Sequence, residues 1–266
     1  MRFAYRQYFH FPVIFLTSVL LTYFMYAVFK RELFSLFNSL MAYITIGVFL
    51  LVSGLLLWYF PDTSILDYGY AELNGFFSLS PFLFMFLIPA VTMRSFAEER
   101  REGTYVLLAS RPLTHWQIIL GKYFACLVLV LFALIPTLLY YYSIYQLGLP
   151  KGNIDGGAVT GSYIGLLLLG GAFCSIGIFS SSITKNQVIA FAIAAFLSFI
   201  VYTGFDALSK IFVSGLGEDI FSWMSVNRHF QSLGRGVLDT RDLIYFISFI
   251  LLFLGVTKMV IGGRRW

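Results

Sequence analysis

Long uncharged runs dominate the chain, separated by short polar connections. The runs predict six membrane-crossing helices, at about Ala42–Phe60, Ser80–Phe96, Tyr123–Tyr145, Tyr163–Ile183, Val188–Phe205 and Leu243–Ile261. Each approaches or exceeds the roughly 20 apolar residues that a hydrocarbon core of about 30 Å requires. Segments of about ten residues alternating between apolar and polar, the mark of a membrane barrel, are absent. The expected fold is therefore an all-α polytopic membrane protein.

One connection departs from this pattern. Arg94-Ser-Phe-Ala-Glu-Glu-Arg-Arg-Glu-Gly103-Thr-Tyr follows an uncharged wall from Phe76 to Met93, and Arg111 and Lys122 come after it. From Tyr123 to Pro150 there is again no charge. Each central Arg or Glu would cost about 2.5–3.5 kcal/mol in the middle of the bilayer, so the cluster lies outside it. Phe96 to Gly103 reads as a short helix ended by glycine. Its mixed signs and apolar flanks suit a rigid knob that docks into a cleft of a cytoplasmic partner. Glu98, Glu99, Arg100, Gly103 and Thr104 are the candidate contact residues, within a coupling segment spanning 94–122.

The connections also give an orientation. Lys30, Arg31, Arg94, Arg100, Arg101, Arg111, Lys122, Lys185, Lys258, Arg264 and Arg265 fall on one side of the six spans. Only Lys151, Lys210, Arg228, Arg235 and Arg241 fall on the other. The positive-inside rule then places the charged segment, and both ends of the six-span core, in the cytoplasm. Residues 207–242, broken at Ser214-Gly-Leu-Gly217 and Gly234-Arg-Gly236, read as an outer re-entrant or interfacial segment with two short helices.

Upstream of the core, residues 1–29 form an extra apolar segment. Phe11 to Phe29 is long enough to cross, but its flanks tie, with Arg2 and Arg6 against Lys30 and Arg31. A start at Met25, which would remove residues 1–24, is the competing expectation. Residues 30–41 differ in pattern. Leu33, Phe34, Phe37, Leu40 and Met41 recur at helical spacing, with Lys30, Arg31, Glu32, Ser35 and Asn38 elsewhere on the wheel. That predicts an amphipathic elbow helix lying in the interface, with Lys30, Arg31, Phe34 and Phe37 as its defining residues.

Composition agrees and narrows the chemistry. Of 266 residues, 59% are hydrophobic and 12% charged, half the charged share of a soluble domain, which is about 25%. The net charge of +5 suits anionic lipid and cytoplasmic loops. No basic tract interleaved with stacking aromatics points to nucleic acid. His10, His115 and His229 are scattered, and Cys126 and Cys174 have no ligand at metal-binding spacing, so neither a metal site nor a disulfide is expected. No Gly-x-Ser-x-Gly elbow or His-Glu-x-x-His helix occurs. Gly121-Lys122 is followed by Tyr123, and the position five before Gly121 is Trp116, so the phosphate-loop pattern fails. The chain is expected to bind no cofactor directly and to be no enzyme. The spans carry no central ionisable residue, the usual sign of an ion-coupled carrier.

Small residues mark a face for close helix packing. Gly170, Cys174, Gly177 and Ser181 follow one stripe, and Ala190, Ala194 and Ser198 another. The stripes fit either intramolecular packing or a subunit interface.

Glu99-Arg-Arg-Glu-Gly-Thr104, Leu107-Leu-Ala-Ser-Arg-Pro112 and Ile118-Ile-Leu-Gly-Lys122 resemble the coupling segment of type-2 ABC exporter permeases. The resemblance is closer to the gliding-motility-associated permease subunits of Bacteroidetes-type bacteria. It runs from about Val28 to the end, through Ile65-Leu-Asp-Tyr-Gly-Tyr70, Pro89-Ala-Val-Thr-Met-Arg-Ser-Phe-Ala-Glu98, Gly152-Asn-Ile-Asp155 and Arg235-Gly-Val-Leu-Asp-Thr-Arg-Asp242. It implies a six-helix permease bundle with an amphipathic elbow, in a bacterial inner membrane. It implies a separate cytoplasmic ABC ATPase that binds ATP, a second permease copy or related membrane subunit, and an accessory gliding-associated membrane subunit. The expected function is coupling of that ATPase to export. The alternatives are a non-transporting anchor or assembly factor for cell-surface machinery and, more weakly, an ion-coupled secondary carrier.

Overall fold

The computed structural model describes residues 10–60, 64–65, 72–105, 113–211, 221–237 and 239–263, with side chains from Phe24 onward. The described residues hold helices and no strand. In chain order they are α1 (His10–Phe37), α2 (Leu40–Trp58), α3 (Asn74–Thr92), α4 (Arg94–Arg101), α5 (His115–Leu134), α6 (Leu138–Leu147), α7 (Gly156–Ile183), α8 (Gln187–Phe199), α9 (Phe205–Ile211), α10 (Val226–Leu233) and α11 (Thr240–Gly262). Among the described residues, six helical stretches meet the length and hydropathy needed to cross a membrane: α2, α3 with α4, α5 with α6, α7, α8 with α9, and α11. All six predicted spans fall on these helices.

Local sequence explains where the helices begin. Thr114 and Gln117 form a reciprocal capping box at α5. Asp155, Asn186, Ser225 and Asp239 each accept a backbone N–H at the starts of α7, α8, α10 and α11. Ends and breaks are equally local. Met93 makes the turn between α3 and α4 one helical turn after Pro89, whose ring removes a backbone donor. Ile135–Thr137 tightens to a 3-10 turn containing Pro136, and Ile200–Gly204 widens to a π turn.

The bundle is built around α7, the most buried of the six spans, which touches α3, α4, α5, α8, α10 and α11. Its glycines explain how one helix meets so many. A Cβ at Gly177 would sit 1.9 Å from Thr92 Oγ1, and one at Gly170 would sit 2.7 Å from Val130 Cγ1. A Cβ at Gly161 would sit 2.2 Å from the Leu233 carbonyl oxygen. Gly170, Cys174, Gly177 and Ser181 thus face helices of this same chain, with Cys174 and Ser181 fully buried. Cys126 and Cys174 are both free thiols.

The described N-terminal residues, from His10 onward, form one continuous helix. α1 runs from His10 through Phe37, so the apolar segment and most of the elbow share a single axis, broken only at Asn38–Ser39 before α2. Its latter half lies along α5. The crossing is at Gly121, where a Cβ would meet Val28 Cγ1 at 2.8 Å and the Phe29 backbone nitrogen at 3.1 Å. Within the 207–242 segment, α10 and the short helical stretch 221–224 are described, whereas Ser214 to Gly217 lie outside the described residues.

Candidate functional site

At the α4 end of the bundle, three elements distant in sequence meet at one lysine. Lys122 lies two turns into α5 and its side chain is only 1% exposed. Its Nζ is 3.1 Å from Glu32 Oε1 of α1 and 3.0 Å from Glu99 Oε1 of α4. It donates to the Ser95 carbonyl at 2.7 Å and lies 5.0 Å from the Phe96 ring centroid. Arg31, at the rim, reaches the same two oxygens, Glu32 Oε1 at 2.5 Å and Glu99 Oε1 at 2.6 Å. Two cations and two carboxylates therefore balance in a mostly buried joint, the arrangement in which buried charge is tolerated.

The electrostatics of the joint follow from this geometry. Burial would push the Glu32 carboxyl up, but the Lys122 ammonium and the Arg31 guanidinium outweigh it and hold the group below the ordinary carboxylate range. Burial likewise works against the Arg31 charge, and the hydrogen bond and charge of Glu32, then Glu99, overcome it and raise its pKa.

A second clamp fixes α4 to α7. Ser181 Oγ accepts from the backbone N–H groups of Phe96 and Ala97, at 2.9 and 3.0 Å, and donates to the Met93 carbonyl at 2.9 Å. A serine of one helix thus satisfies first-turn donors of another, which α4's own N-cap, Met93, cannot do. Arg100 Nη1 donates to the Ser182 carbonyl. Phe96 and Ala97 are buried beneath this contact. Gly103, with φ +73°, ends the helix in the left-handed region, and Thr104 Oγ1 returns to the Glu99 carbonyl at 3.3 Å.

The residues proposed from sequence therefore divide into two groups. Glu99 and Arg100 point inward and are tied within the chain. Glu98 is half-buried beside the cleft, while Gly103 and Thr104 are exposed at the tip. The uncovered face of α4 carries Arg94, Arg101 and, just past its end, Glu102. Between α4 and α1 lies an open cleft of about 340 Å³, lined by Arg31, Glu32, Arg94, Glu98, Glu99 and Glu102 among others. In the elbow, Lys30, Arg31 and Phe34 are exposed, Lys30 lying 5.9 Å from the Phe34 centroid. Phe37 is half-buried and meets Phe132 edge-on at 5.2 Å. Val106 to Pro112, with Arg111, lie outside the described residues.

Sequence reasoning missed Glu32, Lys122 and the capping role of Ser181. Lys122 reads as one more flanking cation until α5 is seen to begin at His115, which buries it. Its isolation in an otherwise uncharged helix is the signal, because a lysine inside a helix bundle requires partners. Glu32 falls on the polar side of the elbow's wheel by composition, yet it shares the inward stripe with Val28 and Leu36.

Among curated proteins no relative matches the chain. Residues 61–257 match the family described as ABC-2 family transporter protein. With six helices among the described residues long and apolar enough to cross a membrane, and a match over most of its length, the chain belongs to the ABC-2 transporter family as a multi-pass membrane protein.

Proposed function

We propose that the chain is the permease subunit of an ATP-driven exporter in the bacterial inner membrane, and that α4 receives the stroke of a separate cytoplasmic ABC ATPase. The observation that carries this reading is the Arg31–Glu32–Glu99–Lys122 joint. It ties α4 to the elbow and to the third span, while the opposite face of α4 stays uncovered. A force on Arg94, Glu98, Arg101 or Glu102 would reach α5 through Glu99–Lys122 and α7 through Ser181. It would move them as one body, because both links are buried and close-packed. The chain supplies the lever, and ATP is consumed on its partner.

The association with gliding motility rests on the ordered sequence motifs, from Ile65-Leu-Asp-Tyr-Gly-Tyr70 to Arg235-Gly-Val-Leu-Asp-Thr-Arg-Asp242. In that setting the complex also contains a second permease copy or related membrane subunit, and the accessory membrane subunit of gliding systems.

Co-expression with the ATPase tests the reading. Reversing the outer stripe with Arg94→Glu and Arg101→Glu is expected to leave permease abundance unchanged and to cut copurified ATPase by about tenfold or more. Truncating one partner of an interfacial charge pair typically costs about 2–5 kcal/mol. Lys122→Met is expected to retain ATPase but lose the permease's stimulation of hydrolysis. Unchanged copurification and unchanged hydrolysis in all three variants would leave α4 a solvated element and favour the anchor reading.

A further inference from the structure

At the opposite end of the bundle the structure holds a pocket that the lever does not use. It lies where the first turns of α3, the π turn and α10 converge, a helix length of about 28 Å from α4. We infer that this pocket binds a neutral saccharide ring.

The cavity is about 410 Å³, within the range of small-molecule sites. Its walls are aromatic, with Phe82 and Tyr202 meeting edge-to-face at 5.8 Å and Phe230 opposite on α10. Its polar groups are amides and hydroxyls. Gln231 Nε2 donates to Asn227 Oδ1 at 3.2 Å, which leaves the Asn227 amide nitrogen and the Gln231 carbonyl oxygen side by side as a donor and an acceptor. Adjacent hydroxyls of a sugar offer the complementary acceptor and donor, and the C–H face of the ring suits an aromatic wall. Arg235 is the one charged side chain among the described lining residues, and no carboxylate is there to attract a cation.

One further observation marks the pocket: Thr203, in its wall, belongs to the π turn, a distortion found often at functional sites.

The pocket is preformed, because α10 is held from below. The Leu233 carbonyl sits against Gly161, and the Phe230 ring against Gly165. His229 bonds Asp242 through Nδ1 at 2.6 Å and the Trp223 carbonyl through Nε2 at 3.0 Å.

The inference is independent of the exporter reading, because binding can be measured on the chain alone with no ATPase present. The full chain, in nanodiscs made without sugar-headed detergent, is examined by saturation-transfer NMR with maltose, cellobiose and di-N-acetylchitobiose. At least one disaccharide is expected to bind saturably. Its affinity is expected to fall about tenfold or more in Asn227→Ala/Gln231→Ala and, separately, in Phe82→Ala, whose side chain is half-exposed. Unaltered thermal unfolding of either variant confirms that the loss is local. Displacement of the disaccharide by a monoglucosyl diacylglycerol in the disc assigns the sugar to a lipid headgroup, and lack of displacement assigns it to a soluble saccharide. Three results would overturn the inference: no binding by any disaccharide, equal binding by the folded variants, or binding of triglycine in place of the sugars.

Discussion

Lys122 is the residue on which the α4 end of the bundle turns. Its ammonium is shared between carboxylates 90 and 23 residues away in the chain, so its removal leaves two mostly buried carboxylates to share the one remaining cation, Arg31. Breaking a buried pair in this way costs about 3–5 kcal/mol. Lys122→Met is expected to lower the thermal midpoint of the purified protein clearly, and Lys122→Arg by less. Glu32 adds a pH signature. Its carboxyl pKa is depressed on folding, so its contribution is complete above the unfolded value of about 4.3 and is lost as pH falls through the lower folded value. The destabilisation caused by Glu32→Gln is therefore expected to be constant from about pH 8 to 5 and to shrink below about pH 4.3. Thermal unfolding of the two proteins across that range measures it. A difference that grows on acidification would mean that Glu32 is not held by Lys122 and Arg31.

Among the elements, α4 and α7 show what a sequence can and cannot disclose. The end of α4 was legible, because a glycine after a charged helix signals a left-handed cap, and Gly103 adopts it. The small-residue stripe of α7 was also legible as a packing face. What it packs against was not, since Gly177 alone does not name Thr92, nor Gly161 the Leu233 carbonyl. The Ser181 cap was hidden for the same reason: a serine near a helix end most often bonds its own helix, and only the fold brings α4 to it. Two glycine substitutions separate these roles. A Cβ at Gly103 would meet nothing within 4 Å, so Gly103→Ala carries only the backbone penalty of about 1–2 kcal/mol. A Cβ at Gly161 would stand 2.2 Å from a backbone oxygen that cannot swing away, so Gly161→Ala must push α10 off α7, at about 1–3 kcal/mol or more. Gly161→Ala is expected to loosen α10, read as faster hydrogen exchange at Val226–Leu233, whereas Gly103→Ala leaves that exchange unchanged. Equal exchange in both proteins would mean that the two helices are not locked at Gly161.

At the scale of the whole molecule the six spans were legible because hydrocarbon imposes a length on every crossing, and α7, about 42 Å long, exceeds it. The continuity of α1 was not, since an apolar run and a basic amphipathic run read as two elements until one axis carries both. The remaining whole-molecule question is sidedness, and the charge asymmetry makes a definite forecast. The α4 joint belongs with the majority of Lys and Arg in the cytoplasm, and the α10 pocket belongs outside. Two connections at opposite ends of α7 report on this directly: Asn153 just before it and Thr184 just after. Cys126 and Cys174 are buried, so an introduced cysteine can be read against a quiet background. Asn153→Cys is expected to react with a membrane-impermeant maleimide on intact cells, and Thr184→Cys only after permeabilisation. The reverse pattern would put the charged joint on the outer face, out of reach of any cytoplasmic ATPase. The lever reading would then fail even with every contact in the joint intact.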